Sequence, residues 1–316
     1  MKNIFCGVDL GGTTVNIGMV TPEGKILVKG KIPSRIHNGV DNVLDEIVNV
    51  VKQWKRSELI GYNISSLGIG VAGLVDTNRG VLKEATNFPG WRDVPLVSKL
   101  ESKLRLLVTM DNDANVAALG ENSFGAGRGF AHMMMVTLGT GVGAGLILDG
   151  MIYRGAFGGA GEFGHITIKK DGRLCACGRA GCVEAYVGTK GIIGEAIASL
   201  SNGTNSALSK VEKNKLTPKE IFSQAQQGDE VAIKIYKKVG ENLGYGLGSV
   251  VNLLNLQRIV VGGGVALAGD FLIDSAQQKL DEVSLNNSDE PVRILKASLG
   301  EHSGIVGAAS LAMAAV

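Results

Sequence analysis

Three short apolar runs open the chain, at residues 4–9, 15–20 and 25–32. Each has the length of a strand, and polar or glycine-rich residues separate one run from the next. The pattern predicts an antiparallel meander of three strands. The first turn of this meander is unusual, because Asp9 precedes two glycines and two hydroxyl side chains, namely Gly11, Gly12, Thr13 and Thr14.

Helical and strand patterns alternate through the rest of the chain. Apolar residues recur every three or four positions from 40 to 54, which predicts an amphipathic helix. Further strands are predicted at 106–110, 258–261 and 292–297. Further helices are predicted at 114–121, 189–200, 219–226, 230–254, 271–280 and 303–316. Strands that alternate with helices indicate an α/β fold.

A second strand–turn–strand segment resembles the first. Residues 133–148 read MMMVTLGTGVGAGLIL, so a glycine-rich turn again separates two apolar runs. The segments 9–20 and 137–148 lie about 130 residues apart and predict a duplicated architecture. Backbone N–H groups in such turns bind phosphate oxygens, and two turns that face each other would hold a polyphosphate. Asp9 would bind Mg²⁺, directly or through water, since this ion takes few carboxylates.

Two segments match patterns of a membrane span and of a dinucleotide-binding site, but other features of each segment argue against those structures. Residues 129–148 carry no formal charge and are long enough for a membrane span, but glycines interrupt them, so we predict a buried hairpin. Residues 68–73 match the dinucleotide fingerprint G-x-G-x-x-G, which requires a helix after the glycines. Here Leu74, Val75, Asp76 and a turn follow, so we predict a glycine-rich strand end instead.

A cluster of metal-ligand side chains lies between residues 158 and 186. His165 is followed by three cysteines within eight residues, Cys175, Cys177 and Cys182. Three thiolates and one imidazole complete a tetrahedral zinc site with no open position, so the metal is expected to be structural. A free-thiol loop beside a core histidine is the alternative, which the close spacing disfavours. The second ring nitrogen of His165 would then reach a substrate hydroxyl, as would Glu162 and Glu184.

Polar side chains follow the strand predicted at 106–110. Residues 111–115 read DNDAN, at the carboxyl end of a buried strand, where α/β proteins place ligand sites. Helix capping requires only one of these side chains. We therefore predict a functional role for Asp113. Taken alone, the loop NFPGW at 87–91 is interpreted as a plain turn. The glycine run at 262–264 would either lie against a flat ligand such as adenine or form a turn at the entry to a helix.

Composition narrows the class of protein. The 316 residues are enough for two domains, and the 46 glycines exceed the usual share of about 7%. The net charge of +2 gives no reason to expect a nucleic-acid or membrane partner. Residues 1–12 contain no long apolar signal region. Three clustered cysteines and an unpaired Cys6 fit a reducing, cytosolic compartment.

Together these motifs resemble the ROK sugar kinases, which have the two-lobed actin/hexokinase-like (ribonuclease H-like) ATPase fold. The resemblance rests on segments 9–14, 68–76, 87–91, 112–115, 138–145, 162–165 and 175–184, in the expected order. The last two segments are the most specific. Many members carry Lys where this chain has Thr14, so a charged contribution is absent at that position.

The resemblance implies a role for each matching residue. Asp113 would be the general base that takes the proton from the attacking sugar hydroxyl. The sugar hydroxyls would be bound by Gly73, Asn87, Asn112, Glu162, His165 and Glu184. Mg²⁺ and the ATP phosphates would be bound by Asp9, Gly11, Gly12, Thr13, Thr14, Gly139, Thr140, Gly141 and Gly143. The adenosine would be flanked by Gly263 and Gly264.

The resemblance also implies a domain arrangement and a reaction. One α/β lobe would comprise residues 1–116 with the C-terminal helix at 302–316, and the other, residues 117–301, would carry the zinc loop and the adenosine pocket. Closure of the cleft between them would exclude water from ATP. The leading hypothesis is a cytoplasmic ATP-dependent kinase of the hexose 6-hydroxyl, most similar to glucokinases. Kinases of N-acetylmannosamine, N-acetylglucosamine and fructose have similar motifs and stay open. Dimers are common among similar proteins.

Two hypotheses come from other functional classes. ROK repressors share this body and carry a DNA-binding helix-turn-helix before it; we expect none here, because the phosphate turn follows Asp9 directly. Actin-like and chaperone ATPases lack the cysteine cluster and the sugar carboxylates.

Zinc removal is expected to weaken sugar binding first, because His165 and Glu184 adjoin the metal ligands.

Overall fold

The structure, a computed structural model, describes residues 1–85, 87–200, 205–285 and 290–316. The strands are β1 Lys2–Leu10, β2 Thr14–Val20, β3 Ile26–Pro33, β4 Tyr62–Val71, β5 Leu74–Asp76, β6 Val81–Glu84, β7 Arg92–Val94, β8 Leu107–Asn112, β9 Met133–Leu138, β10 Val142–Leu148, β11 Met151–Ile152, β12 Arg258–Gly262 and β13 Arg293–Lys296. The α-helices are α1 Val40–Ser57, α2 Leu96–Leu104, α3 Asp113–Phe124, α4 Glu184–Val187, α5 Thr189–Leu200, α6 Pro218–Gln226, α7 Glu230–Leu254, α8 Asp270–Val283 and α9 Ser303–Met313. The prediction of an α/β fold is confirmed.

The chain divides into two compact units. The first, unit 1, consists of Met1–Ala131, Gly145–Gly161 and Ser298–Val316, and unit 2 consists of His132–Ala144 and Glu162–Ala297. These bounds differ from the predicted lobes, because residues 117–131 and 145–161 pack with unit 1. The lobes proposed from the sequence stay a prediction.

Unit 1 is built on a five-stranded sheet of order β3-β2-β1-β4-β8. The first three strands are antiparallel, as the meander predicted, while β4 and β8 run parallel to β1. Asp9 on β1 lies beside Gly70 on β4, and Gly70 lies beside Asp111 on β8. The sheet therefore brings the Asp9 turn and the 111–115 segment to one edge.

Helix α9 packs closely on this sheet. A Cβ at Gly68 would lie 1.8 Å from the carbonyl oxygen of Ala308, and one at Gly7 would lie 2.0 Å from that of Ile305. Only a residue without a side chain permits such an approach. The alanine-rich helix predicted at 303–316 does pack on a sheet, ending at Met313.

The remaining core of unit 1 lies between the sheet and α1. Alternate residues of β1, including Cys6, are fully buried with apolar residues of α1 such as Leu44 and Ile47. Burial raises the pKa of the Cys6 thiol to about 12, so Cys6 is an unreactive core residue. A small antiparallel sheet, β5-β6-β7, and helix α2 were not predicted from the sequence.

In unit 2, β12 runs parallel to both β9 and β13, and the long helix α7 packs against α8. The hairpin predicted within residues 129–148 is present as β9, a turn and β10. No helix in the described ranges is long and apolar enough to cross a membrane.

Candidate functional site

The glycine-rich turn after β1 is closed and braced by its own neighbours in unit 1. The Gly11 N–H donates to the Thr14 carbonyl oxygen at 2.9 Å. Ser34, the residue after β3, donates through Oγ to the Gly12 carbonyl oxygen at 2.8 Å and through its N–H to the Thr13 carbonyl oxygen at 3.0 Å. The turn is therefore fixed by hydrogen bonds to its carbonyl oxygens.

Asp9 and Asn87 adjoin this turn. Asp9 is half-buried and accepts a hydrogen bond from Asn16 Nδ2 at 3.0 Å. Burial raises the pKa of Asp9, although the bond from Asn16 opposes the shift. Asn87 lies against Gly12, where an added Cβ would come within 3.0 Å of the Asn87 Cβ. The structure thus brings a predicted sugar ligand next to a predicted phosphate turn.

At the junction of β8 and α3, Asn112 caps the helix and Asp113 supplies a carboxylate. Asn112 Oδ1 caps helix α3 by accepting from the N–H groups of Ala114 and Asn115 at 2.9 and 3.4 Å. Its Nδ2 donates to the Gly73 carbonyl oxygen at 3.0 Å, so two predicted sugar ligands are in direct contact. Because Asn112 is the cap, the carboxylate of Asp113 is not needed for that purpose.

Asp113 has the properties of a general base. It is half-buried at the start of α3, and burial raises its pKa, with the negative charge of Asp9 adding to the shift. The hydrogen bond from the Ala114 N–H opposes these effects. A raised pKa makes the ionised carboxylate a stronger proton acceptor, which suits proton abstraction from a hydroxyl.

An ion pair behind this segment was missed by the sequence analysis. Asp111 is fully buried, and its Oδ2 accepts from Nε and Nη2 of Arg154, each at 2.7 Å. Its Oδ1 accepts from the Asn112 N–H at 2.7 Å and from Asn115 Nδ2 at 2.8 Å. Asp111 thereby holds the backbone beside Asp113. Nothing in the sequence near Arg154 identifies it as the partner.

The four predicted zinc ligands of unit 2 form one cluster. The ligand atoms of His165, Cys175, Cys177 and Cys182 all lie within 4.8 Å of one another. The sulfur atoms of Cys177 and Cys182 are 3.7 Å apart, and His165 Nδ1 is 3.8 Å from Cys175 Sγ. Tetrahedral ligands about 2.3 Å from zinc lie about 3.8 Å from each other, so this donor set fits the ion.

The loop around the cluster is tight. Gly181 has a φ of +83°, and an added Cβ would lie 1.8 Å from the Lys169 carbonyl oxygen. Burial raises the pKa of the Cys175 thiol to about 12. A metal that binds there must therefore displace a tightly held proton.

Two carboxylates flank the cluster. His165 turns Nδ1 toward Cys175, which leaves Nε2 facing Glu162 Oε2 at 3.9 Å. Glu184 places Oε1 3.6 Å from Cys175 Sγ, and its Oε2 accepts from the Val142 N–H at 2.9 Å. The imidazole can thus bind a metal and keep its second nitrogen for another partner.

A cavity of about 620 Å³ in unit 2 is lined by predicted nucleotide-binding residues. Gly139, Thr140 and Gly264 all contribute to its wall. Gly263 adjoins it with a φ of +90°, and an added Cβ there would lie 2.3 Å from the Leu138 carbonyl oxygen. Gly141 lies in the same turn, and Gly143 is the second residue of β10. The cavity volume of about 620 Å³ is in the range of small-ligand sites.

Most of the wall of this cavity was not predicted. The additional lining residues are Thr189, Thr217, Pro218, Lys219, Phe222, Ser223, Gln226, Tyr236, Val265, Leu267 and Ala268. Helix α6 was predicted as a helix, but its amphipathic pattern does not distinguish a cavity wall from a core. The buried Tyr236 hydroxyl donates to the Pro218 carbonyl oxygen at 2.6 Å and fixes the start of α6.

Comparison with known proteins agrees with these features. The family model described as "ROK family" matches residues 5–315. The glucokinase of Halalkalibacterium halodurans is 36% identical over 312 residues, which cover 96% of this chain and 93% of that protein. A xylose repressor of Caldicellulosiruptor bescii is 27% identical over 95% of this chain and 76% of the repressor.

A solved structure gives the same result for the fold. The ROK family glucokinase of Streptomyces griseus, in complex with glucose and AMPPNP, is 34% identical and superposes with a TM-score of 0.81, covering 98% of this chain and 99% of that one. The α/β fold is therefore of the actin/hexokinase-like kind expected from the sequence. The chain therefore belongs to the ROK family.

Proposed function

We propose that this protein is an ATP-dependent sugar kinase that phosphorylates the 6-hydroxyl of a hexose, with glucose as its substrate. The observation that supports this most directly is Asp113, a half-buried carboxylate with a raised pKa, whose electrostatic partner Asp9 adjoins a glycine-rich turn. A base and a turn suited to phosphate within one unit are the two parts that phosphoryl transfer to a hydroxyl requires.

In the proposed reaction, Asp113 accepts the proton of the attacking hydroxyl. Asn87 and the paired Asn112 and Gly73 orient the sugar in unit 1. The N–H groups of the turn at residues 11–14, other than that of Gly11, which donates to Thr14, would bind phosphate oxygens. Asp9 would hold Mg²⁺, which would neutralise charge on the transferred phosphate. Because little covalent chemistry is left to the protein, positioning supplies most of the rate enhancement.

Unit 2 would supply further sugar contacts and the nucleotide pocket. Glu162, Glu184 and the Nε2 side of His165 would bind sugar hydroxyls, while the cavity at Gly139, Thr140 and Gly264 would bind the nucleotide, with Gly141, Gly143 and Gly263 shaping it. Zinc, bound by His165 and the three cysteines, would act as a structural ion that fixes the loop.

The choice of glucose is supported by the relatives. Glucokinases of three bacterial genera are 33–36% identical over at least 96% of this chain. Kinases for N-acetylmannosamine, N-acetylglucosamine or fructose remain alternatives. A panel of these sugars with Mg·ATP separates them, because the preferred sugar has the highest kcat/KM; a preference for an N-acetylated sugar would contradict glucose.

The deciding experiment measures ADP release with Mg·ATP and glucose, for the wild type and for Asp113→Ala. We expect turnover that requires the sugar and falls by about 10²–10⁴-fold in the variant. ATP hydrolysis without any sugar would favour an ATPase of the actin or chaperone class. No turnover with any of the four sugars would contradict the kinase proposal.

A sugar-responsive DNA-binding regulator is the alternative from another class. Xylose repressors belong among the relatives, at 27–28% identity. Binding of this chain to DNA fragments at physiological salt, relieved by a sugar, would support that alternative over catalysis. The expectations of a cytoplasmic location and of a homodimer stay predictions.

A further inference from the structure

We propose that residues 184–189 form a brace that sets the shape of the turn at residues 139–142, and that Thr189 is a positioning residue for nucleotide phosphates. Metal bound at the neighbouring cluster would then support nucleotide binding in addition to sugar binding. The inference rests on the proposed function, because it assigns a support to the proposed phosphate turn. All of the contacts lie within unit 2.

Thr189 binds the first residue of the turn with two donors. Its N–H lies 3.1 Å, and its Oγ1 2.9 Å, from the carbonyl oxygen of Gly139. The Gly139 N–H in turn donates to the Gly141 carbonyl oxygen at 3.0 Å, which closes the turn. The carbonyl oxygens of Gly139 and Gly141 accept these hydrogen bonds. The remaining N–H groups of the turn are therefore available to bind an anion.

Glu184 binds the last residue of the turn. Its Oε2 accepts from the Val142 N–H, while its Oε1 lies against Cys175 Sγ. The same Oε2 would lie 2.6 Å from a Cβ at Gly141. One carboxylate therefore contacts both the turn and a metal ligand.

A second segment of the cluster packs on the same end of the turn. Gly164 precedes the ligand His165, and an added Cβ there would lie 2.3 Å from the Val142 carbonyl oxygen. Cys182 lies two residues before Glu184 on the other segment. Two segments that the metal would cross-link thus both contact Val142, and the metal would fix their separation.

The turn held in this way forms part of the nucleotide cavity. Gly139, Thr140 and Thr189 all line it. A change in Thr189 or in the metal should therefore alter the position of the N–H groups that face the phosphates. It should have less effect on the part of the cavity formed by α6 and residues 264–268, where the adenosine is expected.

The test measures binding by titration calorimetry with Mg²⁺ and a non-hydrolysable ATP analogue, and separately with adenosine. Thr189→Val removes the hydroxyl donor but keeps the shape of the side chain, and Thr189→Ser restores the donor. Ser249→Ala is a matched control, since Ser249 Oγ donates to the Tyr245 carbonyl oxygen on the exposed side of α7. The metal content of each protein is measured in parallel.

We expect Thr189→Val to weaken binding of the analogue about five- to tenfold, the effect of one lost hydrogen bond. Adenosine binding should change by less than about twofold, since no phosphate is present. Thr189→Ser and Ser249→Ala should match the wild type, and metal content should be unchanged. Chelation of the wild type should weaken the analogue more than adenosine.

Other outcomes would overturn the brace. An equal loss for analogue and adenosine would indicate general damage to unit 2, and an unchanged affinity in Thr189→Val would show that the turn needs no brace. If Thr189→Val fails to fold, the chelated wild type decides, provided that circular dichroism shows it to be folded. Failure of the wild type to bind the analogue at all would contradict the proposed function itself.

Discussion

The two glycine-rich turns follow the same strand–turn–strand pattern but are held in place by different means. In unit 1, Ser34 holds the turn at residues 11–14 through hydrogen bonds from its hydroxyl and its N–H. In unit 2, Thr189 and Glu184 hold the turn at residues 139–142, and Glu184 also contacts a metal ligand. The first turn depends on its own sheet, and the second depends on a loop that a metal would order.

The two units also differ in the chemistry of their functional side chains. Unit 1 carries the half-buried acids Asp9 and Asp113 and the fully buried Asp111. Burial raises the pKa of Asp9 and of Asp113, and the charge of Asp9 adds to the shift of Asp113. Unit 2 carries the cluster of His165 and three cysteines, whose ligand atoms fit a metal ion. Substitutions in unit 1 should therefore change activity and pH response, whereas changes in unit 2 should be sensitive to metal.

The largest effect is expected for Asp113→Asn. Loss of the base should lower kcat by about 10²–10⁴-fold, while binding of the ATP analogue stays unchanged because Asp113 is proposed to contact the sugar hydroxyl and not the nucleotide. Steady-state kinetics and calorimetry measure the two quantities. A weakened nucleotide affinity with an unchanged kcat would contradict the assignment of roles.

Arg154→Met should have the next largest effect, this time on stability. It leaves Asp111 buried without its cation, which should lower the free energy of unfolding by about 3 kcal/mol. Arg173→Met is the matched control in unit 2, since both arginine side chains are 35% exposed but Glu195, the partner of Arg173, is 25% exposed whereas Asp111 is 0% exposed. The control should lose about 1 kcal/mol in urea unfolding.

Adding Asp111→Asn to Arg154→Met tests the reason for that loss. Asn keeps an oxygen that can accept from the Asn112 N–H but carries no charge to be paired. The double variant should recover part of the stability. If it is less stable than Arg154→Met alone, the unpaired charge is not the cause.

Ser34→Ala probes the first turn directly. Removal of its bond to the Gly12 carbonyl oxygen should weaken binding of the ATP analogue by no more than about tenfold, equivalent to about 1.4 kcal/mol. Unlike the chelation effect in unit 2, this loss should be the same in metal-loaded and chelated protein. A loss that depends on metal would remove the distinction between the two turns.

The smallest effect concerns pH and stability. Because the folded pKa of Asp113 is raised above its unfolded value, protonation favours the folded state, and this contribution is lost as pH rises through the folded pKa. Asp113→Asn should therefore unfold at a temperature no lower than the wild type at pH 7, with an advantage that shrinks toward pH 4. A lower melting temperature at pH 7 would show that the ionised carboxylate stabilises the fold.

Activity should respond to the same shift. The base must be ionised, so kcat should fall on the acid side at a pH above the usual carboxyl range of about 3.9. A pH–rate profile of the wild type measures this acidic limb. A limb at or below pH 4 would contradict a raised pKa for Asp113 as the base.

Local patterns were sufficient to predict much of the fold. The bounds predicted for α5 and α7 agree with those observed, because both helices have long apolar repeats. The cysteine cluster could also be predicted, because its ligands lie close together in the sequence; in the structure their ligand atoms lie within 4.8 Å of one another. By contrast, β5, β6 and β7 have only three or four residues each, too few to show an alternating pattern.

The missed parts of the site depend on contacts between distant residues. Arg154 and Asp111 lie far apart along the chain, and neither flanking sequence indicates the pairing. The wall of the cavity proposed for the nucleotide combines α6, Tyr236 and residues 264–268, and only the packing of these elements shows that they enclose a space. Thr189 was assigned to a helix, whereas its hydrogen bonds to Gly139 give it a second role.

The close packing of α9 on Gly7 and Gly68 has a consequence for the folding of the protein during its synthesis. Residues 298–316 are translated after all of unit 2, so the sheet of unit 1 lacks its covering helix while residues 132–297 already have their full sequence. During that interval β1 and β2 expose apolar side chains such as Phe5 and Val20, which α9 later buries. Slow translation near residue 298 would prolong this exposure and increase the dependence of the nascent chain on chaperones.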